Sequence, residues 1–255
     1  HVVTPNSYFH LPPTIQVADR TIKEAEDRGT VDLTTAQILA QSSNVGTVKI
    51  GLRLGATRFD QWVRRFGFGK PTGIELAGEE SGQVIKRNTY SGSSMGNLPI
   101  GQGESVTPLQ LATAYASIAD GGVLRRPRLI EKIGGKPTPA PAGRRVISGK
   151  IASQLRTMLT GVTEAGGTAT AAAIPGYTIA GKTGTANKID PATGMYSKTR
   201  YIGSFVGFAP ARDPKLLVTV MVDEPQGQIF GAEVAAPAFQ EIMSFALPYL
   251  GIAPG

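Results

Sequence analysis

The sequence holds 255 residues, 41% of them apolar, which suits one large domain or a core domain with extensions and makes disorder the wrong starting point. Its net charge of +7 comes from 26 Lys and Arg against 19 Asp and Glu. These cations are scattered along the chain without a long basic run or interleaved aromatics, which reads as a solvated basic surface and argues against a nucleic-acid partner. The absence of cysteine excludes disulfides, thiolate metal sites and cysteine nucleophiles together.

No apolar run approaches the roughly eighteen residues that suggest a transmembrane helix, and no charged-then-apolar signal segment opens the chain. The start at His1, in the loop-like His-Val-Val-Thr-Pro, sets the expectation of a fragment of a longer protein. Residues 1 to 30 are mixed, with Leu11-Pro-Pro13 and Ile15-Gln-Val17 expected to be extended. Thr30 or Asp32 is positioned to cap a helix through Thr34 to Ala40, ending near Gln41 to Asn44. Helical patterning resumes from Val45 to Leu54, and Phe59, Trp62, Val63 and Phe66 recur at helical spacing before Gly67. Gly69 to Gly103 is too long for an ordinary connection and predicts a functional or ordered surface loop.

Thr107 caps the next helix, with Pro108 in its first turn, Leu109 to Ile118 as its apolar body and Gly121-Gly122 closing it. Ser148 caps another that sets Ile151, Leu155, Met158 and Leu159 on one face. Strand signals then take over at Tyr177 to Ala186, Ile202 to Ala209 and Leu216 to Val222, the last two joined by the turn-rich Pro210 to Pro214. A final helix, about Ala232 to Leu247, is apolar nearly all round and is expected to be well buried.

Gly176 to Thr183 matches the phosphate-loop pattern G-x-x-x-x-G-K-[ST] letter for letter. The context does not support it. A phosphate loop needs a strand before the first glycine and a helix at the lysine, but Pro175 abuts Gly176 and Gly184, Pro191 and Gly194 follow Thr183. Tyr177, Thr178 and Ile179 are strand formers, so the supposed loop reads as the strand itself. The hydrophobic run Leu216 to Val222 ending at Asp223-Glu224 is more simply one arm of an antiparallel hairpin than a magnesium-binding neighbour, because residues 186 to 201 offer no crossover helix.

Read as a strand, the segment places Lys182, Gly184 and Ala186 on one face and Thr183 and Thr185 on the other. At the rim of a cleft, its edge amides, lysine and threonines suit a carboxylate or an oxyanion, with Gly184 letting a substrate approach the backbone. Ser42-Ser-Asn44, a polar triplet at a helix boundary, then takes on meaning. Together the two stretches resemble the S-x-N and K-T-G signatures of penicillin-binding proteins and serine β-lactamases. Four passages in the same order extend the likeness to essentially the whole chain: Gln41 to Gly46, Gly101 to Ala112, Ala180 to Ala186 and Ile202 to Pro210. They resemble the transpeptidase domain of class B penicillin-binding proteins, with the septal cell-division transpeptidases as the nearest subgroup.

That resemblance implies an α+β fold, an antiparallel sheet flanked by helices, and a bacterial enzyme anchored at the extracytoplasmic face of the cytoplasmic membrane. It implies peptidoglycan stem peptides as substrates, β-lactams as inhibitors, cell-division proteins as partners of the parent, and no cofactor. Ser42 would relay a proton to the leaving nitrogen, Asn44 would hold the donor's amide backbone, and Lys182 would supply positive potential and tune the relay. Thr183 and Thr185 would bind the substrate carboxylate beside Gly184, with the Thr185 N–H as one oxyanion donor. Phe230 is expected either beside the acyl group or as a buried loop anchor. No serine here has a lysine three positions on, so the family's S-x-x-K nucleophile is expected upstream of residue 1, and residues 1–255 are read as the C-terminal part of the domain. A β-lactamase or β-lactam sensor shares the motifs. His1 and His10 lie apart from them in sequence, so no Ser-His-Asp triad is indicated, and no metal-ligand cluster is legible.

Overall fold

The computed structural model describes residues 2–254. Four short strands come first: β1 (Tyr8–Leu11), β2 (Thr14–Val17), β3 (Arg20–Lys23) and β4 (Val31–Thr34). The extended reading of Leu11 to Val17 thus resolves into two antiparallel pairs, β1 with β4 and β2 with β3. Their inward residues Phe9, Leu11 and Leu33 pack on Ile38 and Val45 of the first two helices. The helix α1 (Thr35–Ala40) is capped by Thr34 and not by Thr30 or Asp32. Strand β4 runs on through Asp32 to Thr34, so the turn of helix starts only there. Gln37 N donates to Thr34 Oγ1 (3.2 Å) while Thr34 N donates to Gln37 Oε1 (2.8 Å), a capping box.

Helices α2 (Asn44–Leu54) and α3 (Ala56–Arg65) follow as their spacing predicts. The long loop after Gly69 is ordered, containing a 3₁₀ turn at Arg87–Thr89, the short helix α4 (Ser94–Asn97) and a second 3₁₀ turn at Leu98–Ile100. One side chain of the next helix, α5 (Pro108–Ala119), ties that loop down. Gln110 completes a second capping box with Thr107, and its Nε2 donates to Lys70 O and Ser81 O, both at 2.8 Å. Strands β5 (Val123–Arg125) and β8 (Gly143–Arg145) then pair around the small hairpin β6 (Lys132–Ile133) and β7 (Lys136–Pro137), before α6 (Gly149–Thr160), which Ser148 caps as expected.

The central sheet has the order β11-β10-β9, all antiparallel, built from β9 (Ala180–Ile189), β10 (Tyr196–Ala209) and β11 (Leu216–Asp223). Strand β9 starts three residues later than its β-forming residues suggest. Gly176 at φ +83° makes a tight turn in which Tyr177 N donates to Ile174 O (3.1 Å), and Tyr177 Oη reaches Ile252 O (2.7 Å), so 177 to 179 serve the C-terminal end of the chain. Both faces of the sheet are covered. Phe205 packs edge-to-face on Phe239 with centroids 4.7 Å apart, within a core shared with Ile179, Met243 and Leu247. On the other face Phe208 and Ala180 meet Leu159, Tyr115 and Leu39.

The last helical stretch is broken into α7 (Gly231–Val234) and α8 (Ala236–Tyr249). It is not buried all round. Ala236, Phe239, Met243 and Leu247 face the sheet, while Phe245 (71% exposed) and Tyr249 (77%) stack on each other at the surface. The all-round apolar pattern gave no phase, and the packing against β10 selected one face. Asp223 and Glu224 hold Lys188 at 2.8 and 2.7 Å, so the acidic pair is an ion-pair clasp on an antiparallel hairpin. No described helix is long and apolar enough to cross a membrane.

Replacing Gln110 with Ala should cost about 2–4 kcal/mol, since it removes the side-chain half of the capping box and leaves two carbonyls without a donor. Chemical denaturation measures this directly. A loss below about 0.5 kcal/mol, typical of a surface site, would show that the loop is held by something else.

Candidate active site

The first half of the site is a helix ending. At the end of α1, Ser42 N donates to Leu39 O (3.3 Å) and Ser43 N to Ile38 O (3.0 Å), the paired bonds of a Schellman motif. That motif requires a left-handed residue after the helix, usually Gly. Here it is Ser42, at φ +54°. A side chain in this conformation costs about 1–2 kcal/mol relative to the right-handed region, so the hydroxyl is held at a position where glycine would relax the backbone. The next residue, Ser43, is buried and caps α2, its Oγ accepting from Gly46 N (3.0 Å).

The second half is the free edge of the sheet. Among the described residues strand β9 pairs with β10 alone, leaving its other side open. Lys182 Nζ donates to Ser42 Oγ at 2.8 Å, joining positions 140 residues apart, and also to Thr183 Oγ1 (3.2 Å) and Thr183 O (3.3 Å). Strand alternation sets Lys182 and Thr183 on opposite faces, but the four-carbon stem brings the ammonium back to the strand edge. Thr183 Oγ1 in turn lies 3.0 Å from Thr168 Oγ1. The result is a continuous chain of proton-bearing groups, Ser42, Lys182, Thr183 and Thr168. Burial pushes the lysine down to about 8, since all three acceptors are neutral. A lysine lowered in this way destabilises the fold while charged, below pH 8. That cost is relieved as pH rises from 8 toward the usual lysine range. Near neutrality the group both donates and accepts protons, which suits a relay.

Sequence reasoning missed the groups that hold these two halves. Glu24, its side chain only 7% exposed, accepts from Asn44 N (2.7 Å) and Ser43 Oγ (2.8 Å) and is paired with Arg28, whose Nη2 also donates to Ser43 Oγ (3.0 Å). A carboxylate at the N-terminus of α2 is electrostatically well placed. Asn44 Nδ2 donates to Lys23 O (3.0 Å), which orients its side-chain amide. Thr168 N donates to Ala40 O (3.1 Å), so this one residue touches both the end of α1 and Thr183 of β9. Glu24 sits in a polar stretch that reads as solvent-facing, and nothing local distinguishes Thr168 from the neighbouring threonines.

Thr185 is exposed on β9, and its Oγ1 accepts from Gly231 N (3.1 Å). A Cβ on Gly231 would lie 2.2 Å from Ser204 O and 2.4 Å from Gly184 O, so only glycine lets α7 approach the strand this closely. Gly184 itself faces its cross-strand partner: a Cβ there would meet Ser204 Oγ at 2.6 Å. A side chain at 184 would thus displace the Ser204 hydroxyl. Phe230, 39% exposed, stands at the start of α7 next to the residue that contacts Thr185; it is not a buried anchor. His10 pairs at the surface with Asp32 (2.8 Å), and His1 lies outside the described residues.

Both Ser42→Gly and Ser42→Ala remove the hydroxyl, but only glycine suits the left-handed backbone. Ser42→Gly should therefore be more stable than Ser42→Ala by about 1 kcal/mol in denaturant unfolding. The opposite order, normal for helix interiors, would contradict the Schellman assignment.

The chain is similar to known proteins over nearly its whole length. The penicillin binding protein transpeptidase domain family matches residues 1–244. Penicillin-binding protein PbpB of Mycolicibacterium smegmatis is 40% identical over 259 residues, covering 96% of this chain and 40% of that protein. Peptidoglycan D,D-transpeptidase FtsI of Escherichia coli is 38% identical over 224 residues, covering 88% and 37%. The crystal structure of penicillin binding protein 3 from Mycobacterium tuberculosis complexed with aztreonam superposes with a TM-score of 0.92 at 36% identity, covering all of this chain and 60% of that one. The chain thus spans about two fifths of the length of the curated relatives it matches. With an S-x-N turn and a K-T-G strand in contact on an α+β scaffold, the chain belongs to the penicillin-binding protein transpeptidase family.

Proposed function

We propose that this chain supplies the proton-relay and carboxylate-binding walls of a peptidoglycan D,D-transpeptidase, and that it is the C-terminal part, residues 1–255, of that domain. The observation that carries the reading is the 2.8 Å contact between Lys182 Nζ and Ser42 Oγ, which brings the two motifs into one site. A serine outside this sequence, in an S-x-x-K segment, attacks the carbonyl of the D-Ala-D-Ala amide and forms an acyl-enzyme. The terminal D-alanine leaves with a proton delivered through Ser42. An amine of a neighbouring stem peptide then attacks the ester and restores the serine.

Within this chain, Lys182 keeps the Ser42 hydroxyl polarised and exchanges its proton, and Asn44 positions the donor amide. Thr183, Gly184 and Thr185 form the edge against which the substrate carboxylate lies, with the Thr185 N–H as an oxyanion donor and Phe230 at the rim. β-Lactams acylate by the same route, as the aztreonam complex of the Mycobacterium tuberculosis relative supports for this family. The relatives named transpeptidase favour this reading over a β-lactamase or sensor. The antiparallel strand at Lys182 leaves no place for a phosphate loop. The same likeness supports a septal role with cell-division partners, on the extracytoplasmic face of the bacterial membrane.

The test is acylation of the full-length protein by a fluorescent penicillin. Ser42→Ala should slow acylation by about 10²–10⁴-fold, the range of a lost proton-transfer group, and the 255-residue chain alone should not label. A change below about tenfold, or covalent labelling of the 255-residue chain, would contradict the assignment.

A further inference from the structure

Cations that are far apart in the sequence converge in the fold. A cleft of 540 Å³ lies between the end of α3, residues 67 to 72, α5 and the β5–β8 pair, a volume in the range of small-molecule sites. Arg64, Arg65, Lys70, Arg125, Arg126 and Arg144 line it, and no carboxylate does. None of these residues belongs to the Ser42–Lys182 cluster.

The six cations fall into two classes. Arg64, Arg125 and Arg126 are neutralised from outside the cleft by Asp60 (2.9 Å), Asp120 (2.8 Å) and Glu75 (3.3 Å). Arg65, Lys70 and Arg144 have no carboxylate partner among the described residues. Two of them are nevertheless held in place by neutral groups. Arg144 Nη2 donates to Arg65 O (2.7 Å), Arg65 Nη2 donates to Arg145 O (3.5 Å), and the Arg65 guanidinium lies 5.2 Å from the centre of the Trp62 ring. Carbonyls and a ring fix position without cancelling charge, so the cleft keeps three positive charges, those of Arg65 and Arg144 in a set geometry. One carboxylate would leave two of them unmatched. Two adjacent phosphates match more of that charge, and their oxygens fit guanidinium forks in bidentate fashion.

We propose that this cleft binds a phosphate-bearing anion with two or more closely spaced phosphate charges, either a soluble diphosphate ester or an anionic phospholipid headgroup.

The test uses the full chain with three probes: inorganic pyrophosphate, vesicles of cardiolipin, whose headgroup bears two phosphates, compared with phosphatidylcholine, and a polyglutamate peptide. Saturable pyrophosphate binding, competed by orthophosphate only at higher concentration, is expected for a soluble ligand. Binding confined to the cardiolipin vesicles assigns the headgroup. In either case Arg65→Gln and Arg144→Gln should each weaken binding about tenfold or more, as loss of a charge-assisted bond does. Lys70→Gln, whose side chain holds nothing in the fold, should do so with unchanged thermal unfolding. Binding of polyglutamate alone, binding of none of the probes at low salt, or binding indifferent to all three substitutions would overturn the proposal.

Discussion

Much of this molecule can be understood as the support of one buried ammonium. Lys182 is largely withdrawn from water and, among the described residues, is given only neutral oxygens, those of Ser42 and Thr183. A buried ammonium without a carboxylate is costly, and it persists only if its acceptors cannot drift away. The Schellman turn fixes Ser42, the sheet fixes Thr183, and Thr168 bridges the end of α1 to β9. Substituting a carboxylate would stabilise the charge and raise the lysine, ending the proton exchange near neutrality that is proposed for it. The proposed relay depends on the lysine being poorly stabilised in its charged form.

That requirement explains why the surroundings are rigid. The sheet is packed on both faces, by Phe239 and Met243 on one side and Leu159 and Tyr115 on the other. Its β9 edge is pinned at Thr185 by α7, through a close approach that only Gly231 permits. On the helical side, Glu24 and Arg28 clamp the start of α2 with charged groups. Charge is used to hold the scaffold and is withheld from the reacting face.

What the sequence revealed followed from the range of the interactions. Caps at Thr107 and Ser148, the helices and the antiparallel order of the last three strands were legible because their signals lie within a few residues. The K-T-G strand was legible too, once Pro175 and Gly184 had ruled out a phosphate loop. Start points were less so: Thr34 displaced Thr30 and Asp32 as cap because β4 extends to it, and β9 begins at Ala180 because Tyr177 is bound to Ile252. Glu24 and Thr168 act through contacts 15 to 20 residues away or more, and the basic cleft collects residues 64 to 144, so no local pattern could mark them. Scattered cations in sequence were no guide to their convergence in space.

The most direct test of the central claim is an NMR titration of Lys182 through its Cε and Nζ resonances, in the native chain and in Ser42→Ala. A midpoint near 8 is expected, and a lower one in Ser42→Ala, because removing a hydrogen-bond acceptor further disfavours the charged form. A native midpoint in the ordinary lysine range, or one that does not respond to Ser42→Ala, would contradict it.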